Sequence, residues 1–173
     1  MRPQRTANVL ATAKLIQAEV NSAGLGPIGN ATGSPYDILI TEVPIIQASR
    51  QLFTDGHYSQ AVEQAFKCVN NVVKDRSGSP DDGAKLMRGA FSANQPILML
   101  NSLRTQSEKD EQQGYMDIMA GSMTGIRNPR AHEHQRVDAQ SETLEMLVLA
   151  NHLARIARVA RRKRTRRQHN VST

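Results

Sequence analysis

The stretch YSQAVEQAFKCVNNVVKDR, residues 58–76, decides the fold. Its apolar residues recur at intervals of three and four, which places them on one face of an α-helix. They are Ala61, Val62, Ala65, Phe66, Val69, Val72 and Val73. Residues 77–83, rich in Ser, Gly, Pro and Asp, then end the helix. We therefore expect a long amphipathic helix with its apolar face against a core.

The same periodicity continues on both sides of this stretch, whereas the alternation typical of strands is nearly absent. Pro44 suits the first turn of a preceding helix that Gly56 terminates, and the two helices should form a hairpin. Further helices are predicted over about residues 84–90 and 105–126, with a last one beginning near Asp138 or Ser141 as N-cap. The sequence predicts an all-α bundle.

Two of these helices carry an inner face of large apolar residues. On the first we expect Met116, Met119 and Met123 to face the core. On the last we expect the inward residues Leu144, Leu147, Val148, Leu153, Ile156 and Val159. Between the two helices, Pro129 should end or kink the chain, because proline disfavours α geometry in the residue before it. The bend is expected at Arg127.

The two ends of the chain differ from this bundle. Residues 3–23 are predicted to form an extra helix, followed by a glycine-rich loop, so that residues 1–43 precede the bundle. The bundle itself should span residues 44–160, and residues 161–173 should form a flexible basic tail. At 173 residues the chain is long enough to bury one sizeable core.

The net charge of +6 is concentrated near the C-terminus, where eight positive residues occur without an acid. They are Arg155, Arg158, Arg161, Arg162, Lys163, Arg164, Arg166 and Arg167. Such a cluster suits a polyanion, because binding releases the counterions that phosphates condense. We therefore predict that these residues bind nucleic acid. The alternative is a solvated end that merely complements the helix macrodipole.

Several protein classes lack support in the sequence. No apolar run approaches the roughly 20 residues of a membrane-spanning helix, and no signal peptide is recognisable, so we expect a cytoplasmic protein without a membrane partner. Cys68 is the sole cysteine and fits a buried apolar role. The segment His132-Glu133-His134 is the nearest approach to a metal cluster, but adjacent residues converge poorly on one ion. We expect no metal or other cofactor.

The remaining candidate chemistry lies in residues 125–132, GIRNPRAH, where Arg127 and His132 flank the proline. Arginine offers a permanent charge and a planar fork of donors, and histidine titrates near neutral pH. Together they suit cleavage of a phosphodiester. The spacing alone is weak evidence, since Arg164 and His169 repeat it in the tail. The alternative is that both residues cap neighbouring helices.

The string Arg-Asn-Pro-x-Ala-His resembles the Arg-x4-6-His signature of the HEPN superfamily. Three longer strings, spread over residues 44–160, are similar to the Ymh-type proteins of bacteria and phages. They are Leu52-Phe53-x-Asp55-Gly56-His57-Tyr58-x-x-Ala61-Val62-x-x-Ala65-Phe66-Lys67, Asp82-Gly83-x-Lys85-Leu86-Met87 and Gly125-Ile126-Arg127-Asn128-Pro129-x-Ala131-His132.

The resemblance implies a HEPN-like bundle of four to five helices that forms a homodimer with the two Arg-x4-6-His segments facing each other. It further implies a metal-independent endoribonuclease, typically a toxin or an effector of antiviral defence. Arg127 and His132 would then be the catalytic residues and RNA the substrate.

Other residues are candidates for supporting roles in that site. Asn128 would orient Arg127 or contact the phosphate, and Arg130 is a second candidate anion contact. On the long helix, Glu63 and Lys67 are candidate partners of the site, although a plain surface ion pair between them is the alternative. His134 also satisfies the looser motif spacing and competes with His132.

Two other functions stay open at this point. One is a non-catalytic module that binds RNA or a nucleotide within a larger defence or phage-related assembly. The other is an interaction subunit that holds an antitoxin, a sensor or another protein through the bundle and its basic end. Turnover of RNA would distinguish the endoribonuclease hypothesis from both of these alternatives.

Overall fold

The computed structural model describes residues 34–133 and 136–163. The predicted N-terminal helix over residues 3–23, His134, and the basic residues Arg164, Arg166 and Arg167 lie outside these ranges. The described residues divide between Ile38 and Leu39 into two compact units. The short helix α1, Pro35–Leu39, lies at that division, and all elements named below belong to the second unit.

The second unit is an all-α bundle, as predicted. Its helices are α2 (Val43–Thr54), α3 (Tyr58–Ser77), α4 (Gly83–Phe91), α5 (Gln106–Ser122), α6 (Asn128–His132) and α7 (Gln140–Val159). Helices α2 and α3 form the predicted hairpin, turning at Gly56 with a φ of +80°. Helix α3 packs most extensively against α7, and α4 packs against α5. The long amphipathic helix is therefore the central element.

The core follows the predicted apolar faces closely. Ala61, Val62, Phe66, Val69 and Val73 of α3 are fully buried, as are Met119, Met123, Leu147 and Leu153 from the other helices. Burying a side chain of this size is worth about 1.5–3 kcal/mol, so these residues account for much of the stability. Val159 is an error of prediction, because it is 59% exposed at the last turn of α7.

A small antiparallel ladder was not predicted. Strand β1, Leu98–Met99, pairs with β2, Arg161–Arg162, and the N–H of Lys163 donates to the carbonyl of Ile97 at 2.9 Å. The first three residues of the predicted basic tail therefore pair with the segment between α4 and α5.

The helical path continues through Pro129, so the predicted end of the helix at this proline is wrong; a kink was the alternative. Helix α5 changes into a π-helical turn over Met123–Arg127, and α6 continues directly from it. Asn128, the residue before the proline, keeps α geometry with φ −60° and ψ −44°, and its N–H donates to the carbonyl of Met123. A π turn is one of the ways in which a helix accommodates a local irregularity. It lets the chain pass Pro129 without leaving the helix.

The start of α7 also differs from prediction. Its N-cap is Ala139, and no side chain caps the helix, although Asp138 and Ser141 were both expected to serve. Asp138 is instead engaged by two arginines, as described below.

Candidate functional site

Arg127 is the last residue of the π turn and is half-buried. Its Nε atom is buried and has no hydrogen-bond partner among the described residues. Native proteins rarely leave a buried N–H unpaired, because the lost hydrogen bond to water costs roughly 1–3 kcal/mol. The guanidinium therefore keeps unused donor capacity at an edge of the bundle.

Asp82 is the N-cap residue of α4, and the charge of Arg127 is the smallest of the influences that lower its pKa. Its Oδ2 accepts from Nζ of Lys74 at 2.8 Å, and its Oδ1 accepts from Nδ2 of Asn70 at 2.8 Å. The buried amide of Asn70 also accepts the N–H of Gly83 at 2.8 Å. Gly83 has a φ of +58°, a conformation that favours glycine. Helix α3 thus fixes the start of α4.

The electrostatics of this corner favour an ionised carboxylate. The hydrogen bond from Lys74 lowers the pKa of Asp82 most, and the hydrogen bond from Asn70 lowers it further. Partial desolvation raises it slightly, while the charges of Lys74 and Arg127 lower it again. Asp82 is therefore an anion at neutral pH, and Lys74 is the cation that binds it.

His132 is the last residue of α6 and is exposed. It follows Arg127 by five residues along a continuous helical path, a rise of about 7.5 Å and a rotation of roughly 140° in regular α geometry. Within the described ranges no hydrogen bond joins the two side chains. The two predicted catalytic residues therefore lie on neighbouring turns of one helical segment without a hydrogen bond between their side chains.

Arg130 lies inside the fold. Its Nε and Nη2 donate to the two carboxylate oxygens of Asp138 at 2.7 and 2.9 Å, and its Nη1 donates to the carbonyl of Ile126 at 2.9 Å. Both side chains are only 2% exposed. These contacts favour a structural role for Arg130 over the predicted contact with an anion.

A second arginine completes this ion cluster. Arg136 donates from Nε to Oδ1 of Asp138 at 3.1 Å, and it also approaches Glu133 at 3.4 Å. Burial by itself raises the pKa of Asp138, but the hydrogen bonds from Arg130 and Arg136 lower it more, so the net pKa is below the usual value. The cluster connects α6 to the segment that leads into α7.

A cavity of about 360 Å³ lies beside this ion cluster. Its walls come from the start of α3 and from the chain around α6, and include Tyr58, Gln60, Glu63, Ala131, Glu133 and Arg136. Arg127, Asn128 and His132 do not line it. The cavity and the Arg127 corner are thus separate places on the described surface.

The remaining described supporting candidates are Glu63, Lys67 and Asn128. Glu63 lines the cavity, whereas Lys67 is exposed and lies in a shallow depression with Cys68 and Asn71. The described contacts include no ion pair between Glu63 and Lys67. Asn128 is exposed next to Arg127.

The described arginines near the C-terminus have different contact partners. Arg158 is bound to Glu42 at 2.9 Å, and Arg155 donates to Nδ1 of His152 at 3.2 Å. Arg161 donates to the carbonyl of Asn101 at 3.1 Å, and the side chain of Arg162 lies against Gly78.

Sequence reasoning missed Asn70, Lys74 and Asp82 as site residues. Lys74 and Asp82 are eight positions apart across a turn, and Asp82 was interpreted only as a turn residue. The available signal was Asn70, a polar residue beside Val69 and Val73 on an otherwise apolar face. Asn70 is 3% exposed, and both the nitrogen and the oxygen of its side-chain amide are hydrogen-bonded.

The described residues contain neither a metal-binding cluster nor a membrane-spanning helix. No group of three or more His, Cys, Asp and Glu side chains among them could hold a metal ion. No helix in the described ranges has the length and apolar character needed to cross a membrane.

The fold and site define an all-helical protein with an arginine-centred polar corner. Residues 41–157 match the family described as "Protein of unknown function (Hypoth_ymh)", and the chain belongs to this family. Comparison with curated proteins gave no match, and neither did comparison with solved structures. The family match confirms the Ymh part of the resemblance, while the relationship to the HEPN superfamily stays a prediction.

Proposed function

We propose that this protein is a metal-independent endoribonuclease of the HEPN type whose site is completed in a homodimer. The observation that carries the proposal is Arg127, a half-buried arginine whose Nε has no partner among the described residues. A cation with free donors at a protein edge suits a phosphate oxygen.

The proposed reaction needs two proton transfers. The ribose 2′-hydroxyl attacks the adjacent phosphorus as one His132 takes its proton, and the bond to the 5′-oxygen breaks as a second His132 donates a proton to that oxygen. The products are a 2′,3′-cyclic phosphate and a free 5′-hydroxyl. Arg127 stabilises the charge that develops on the phosphoryl oxygens.

The homodimer is part of the same proposal. One protomer supplies one exposed His132 at the end of α6, out of contact with its own Arg127. Two histidines, one as base and one as acid, require a second copy of the chain. The role as a toxin or effector in antiviral defence rests on the resemblance alone, and so does a regulating antitoxin or sensor.

The test is cleavage of single-stranded RNA by purified protein in EDTA. Arg127→Ala and His132→Ala should each lower the rate by at least about 100-fold, the scale of a lost transition-state donor or general base. Matched controls are Arg88→Ala and His57→Ala, because both residues are exposed and outside the proposed site. Circular dichroism checks that helicity is preserved. Equal cleavage by wild type and both site variants would refute the proposal.

A non-catalytic RNA-binding module is the second candidate. The absence of contact between Arg127 and His132 in the described structure favours it over a preformed monomeric site. It predicts RNA binding that Arg127→Ala weakens, with no cyclic phosphate product under any condition.

A further inference from the structure

His152 on α7 is hydrogen-bonded through both nitrogens of its ring. The hydroxyl of Tyr115 on α5 lies 2.9 Å from Nε2, and Nη2 of Arg155 lies 3.2 Å from Nδ1. An arginine can only donate, so Nδ1 must accept, and the ring is then neutral with its proton on Nε2. Nε2 therefore donates to the Tyr115 hydroxyl, which keeps its own proton, and no described residue accepts that proton. His152 thus bridges two side chains that both retain a donor.

Tyr115 differs from most aromatic residues of the chain in its exposure. The chain has three tyrosines, three phenylalanines and no tryptophan. All six rings lie within the described ranges, and four of them are buried, namely Tyr36, Phe53, Phe66 and Phe91. Tyr58 and Tyr115 are half-buried. The ring of Tyr58 packs edge-on against Phe53, whereas the ring of Tyr115 lies beside the imidazole of His152, with centroids 5.7 Å apart.

Arg155 adds an unneutralised charge to this aromatic pair. It is exposed, and its described partner is the neutral ring of His152 instead of a carboxylate. Arg158, one turn further along α7, is bound to Glu42 and has its charge offset. A guanidinium has five N–H donors, and Arg155 uses one of them on His152. Its charge and its other donors are therefore available to a ligand.

We propose that Tyr115, His152 and Arg155 form a subsite for one nucleotide of single-stranded RNA. The base stacks on the ring of Tyr115, a phosphate contacts Arg155, and His152 is the positioning residue that holds both side chains. An unpaired base offers a flat π face next to a negative charge, so an aromatic ring beside an arginine suits both parts of a nucleotide. The choice of RNA as ligand rests on the proposed function.

The chain after α7 runs back along α5 beyond this subsite. Asn101 donates from Nδ2 to Oε2 of Glu111, one helical turn before Tyr115, and the carbonyl of Asn101 accepts from Nη2 of Arg161. Moving back along α5 by one turn therefore moves the C-terminal partner forward from His152 to Arg161. Arg161 offsets the charge of the exposed Glu111, so an RNA strand bound at the subsite can continue in this direction.

The experiment measures binding of the full chain to a fluorescent single strand of about 12 nucleotides. Its riboses are 2′-O-methylated, so 2′-hydroxyl attack cannot cleave it. Fluorescence anisotropy at several salt concentrations gives the Kd and its salt dependence. Arg155→Ala should weaken binding by about 5- to 30-fold and reduce the salt slope by roughly 0.7, the value for one lost phosphate contact on a single strand. The control Arg88→Ala removes another exposed helical arginine and should change the Kd less than about 2-fold.

A second strand with the same backbone but without bases isolates the role of Tyr115. Tyr115→Leu should weaken binding to the strand with bases by about 5- to 100-fold, the scale of one lost base–aromatic stack, and should leave binding to the abasic strand unchanged. Arg155→Ala should weaken binding to both strands. Tyr58→Leu is the matched control for a half-buried tyrosine and should affect neither. Circular dichroism confirms that each variant is folded.

The positioning role of His152 has its own test. His152→Leu should weaken binding to both strands by about 3- to 10-fold, because it removes one hydrogen bond from each neighbour. His152→Gln should retain most of the affinity, since its amide can donate to Tyr115 and accept from Arg155. Long-range ¹H–¹⁵N NMR spectra of the free protein should show an unprotonated Nδ1 in His152 at neutral pH.

Three results would overturn the subsite. They are an equal loss on both strands for Tyr115→Leu, equal effects of Arg155→Ala and Arg88→Ala, and a proton on Nδ1 of His152. Binding of an RNA duplex as tight as that of the single strand would also contradict it, because paired bases are not free to stack on Tyr115.

The same data separate this inference from the proposed reaction. If wild type never cleaves natural RNA but Arg155→Ala and Tyr115→Leu weaken binding as expected, the reaction is refuted and the subsite stands. If wild type cleaves natural RNA but both variants bind normally, the subsite is refuted and the reaction stands.

Discussion

Arg127 and Arg130 lie three residues apart on one helical segment, yet their surroundings are opposite. Arg130 is buried and donates to both oxygens of Asp138 and to the carbonyl of Ile126. Arg127 is half-buried, and its Nε donates to no described residue. Each of the three nitrogens of the Arg130 guanidinium has a partner, whereas the buried Nε of Arg127 has none among the described residues.

The difference teaches that residue type and spacing do not separate structural from functional arginines. The hydrogen-bond partners distinguish the two kinds of arginine, because a buried charge is tolerated only when it is paired and hydrogen-bonded. Where the fold uses every donor, the residue stabilises the protein. Where it leaves donors unused, the residue is available to a ligand.

The largest effect should come from breaking the Arg130 pair. Asp138→Asn leaves a buried guanidinium without its counter-ion, and we expect the free energy of unfolding to fall by about 3–5 kcal/mol. Chemical denaturation monitored by circular dichroism measures this. Arg136→Gln is the matched control, because Arg136 bonds the same carboxylate from a more exposed position and should cause a much smaller loss. Losses of equal size would contradict the comparison.

Lowering the pH should reproduce part of the loss of unfolding free energy expected for Asp138→Asn. The folded-state pKa of Asp138 is lowered, so its contribution to stability is present above the unfolded pKa of about 3.9 and is lost as the pH falls through the folded value. The difference in unfolding free energy between wild type and Asp138→Asn should therefore be constant near neutral pH and shrink below about pH 4. A difference that stays constant down to pH 2 would show that Asp138 does not act through its charge.

The smallest effect should come from Arg127 itself. Arg127→Met keeps most of the aliphatic volume and removes an unpaired buried N–H, so the free energy of unfolding should change by less than about 0.5 kcal/mol or rise slightly. The same denaturation experiment tests it. A loss close to that of Asp138→Asn would mean that Arg127 is a structural residue after all, and would remove the main support for the nuclease proposal.

Helix α3 shows how much of the fold the sequence could predict. Its bounds, Tyr58–Ser77, agree with the periodic stretch to within one residue, because apolar spacing and turn residues both mark it. The π turn before Pro129 could not be predicted in this way, because it changes the hydrogen-bond register without changing the apolar pattern. Local rules for proline predicted a break where the helix adapts instead.

The site was harder to predict than the fold. The motif around Arg127 and His132 is contiguous, so the sequence brought it to attention. Arg130 belongs to the same motif, but its partner Asp138 is reached only through the turn after α6, so its burial could not be inferred. Asp82 and Lys74 meet across another turn, and only the packing of α3 against α4 reveals them.

The π turn has a consequence for how this corner could have arisen. Its ring closes over one more residue than an α turn, so it is equivalent to a single-residue insertion into an ordinary helix. Such an insertion rotates everything that follows by about 100° around the helix axis. Removing one residue from Met123–Arg127 would therefore change the neighbours that the guanidinium of Arg127 and the imidazole of His132 face.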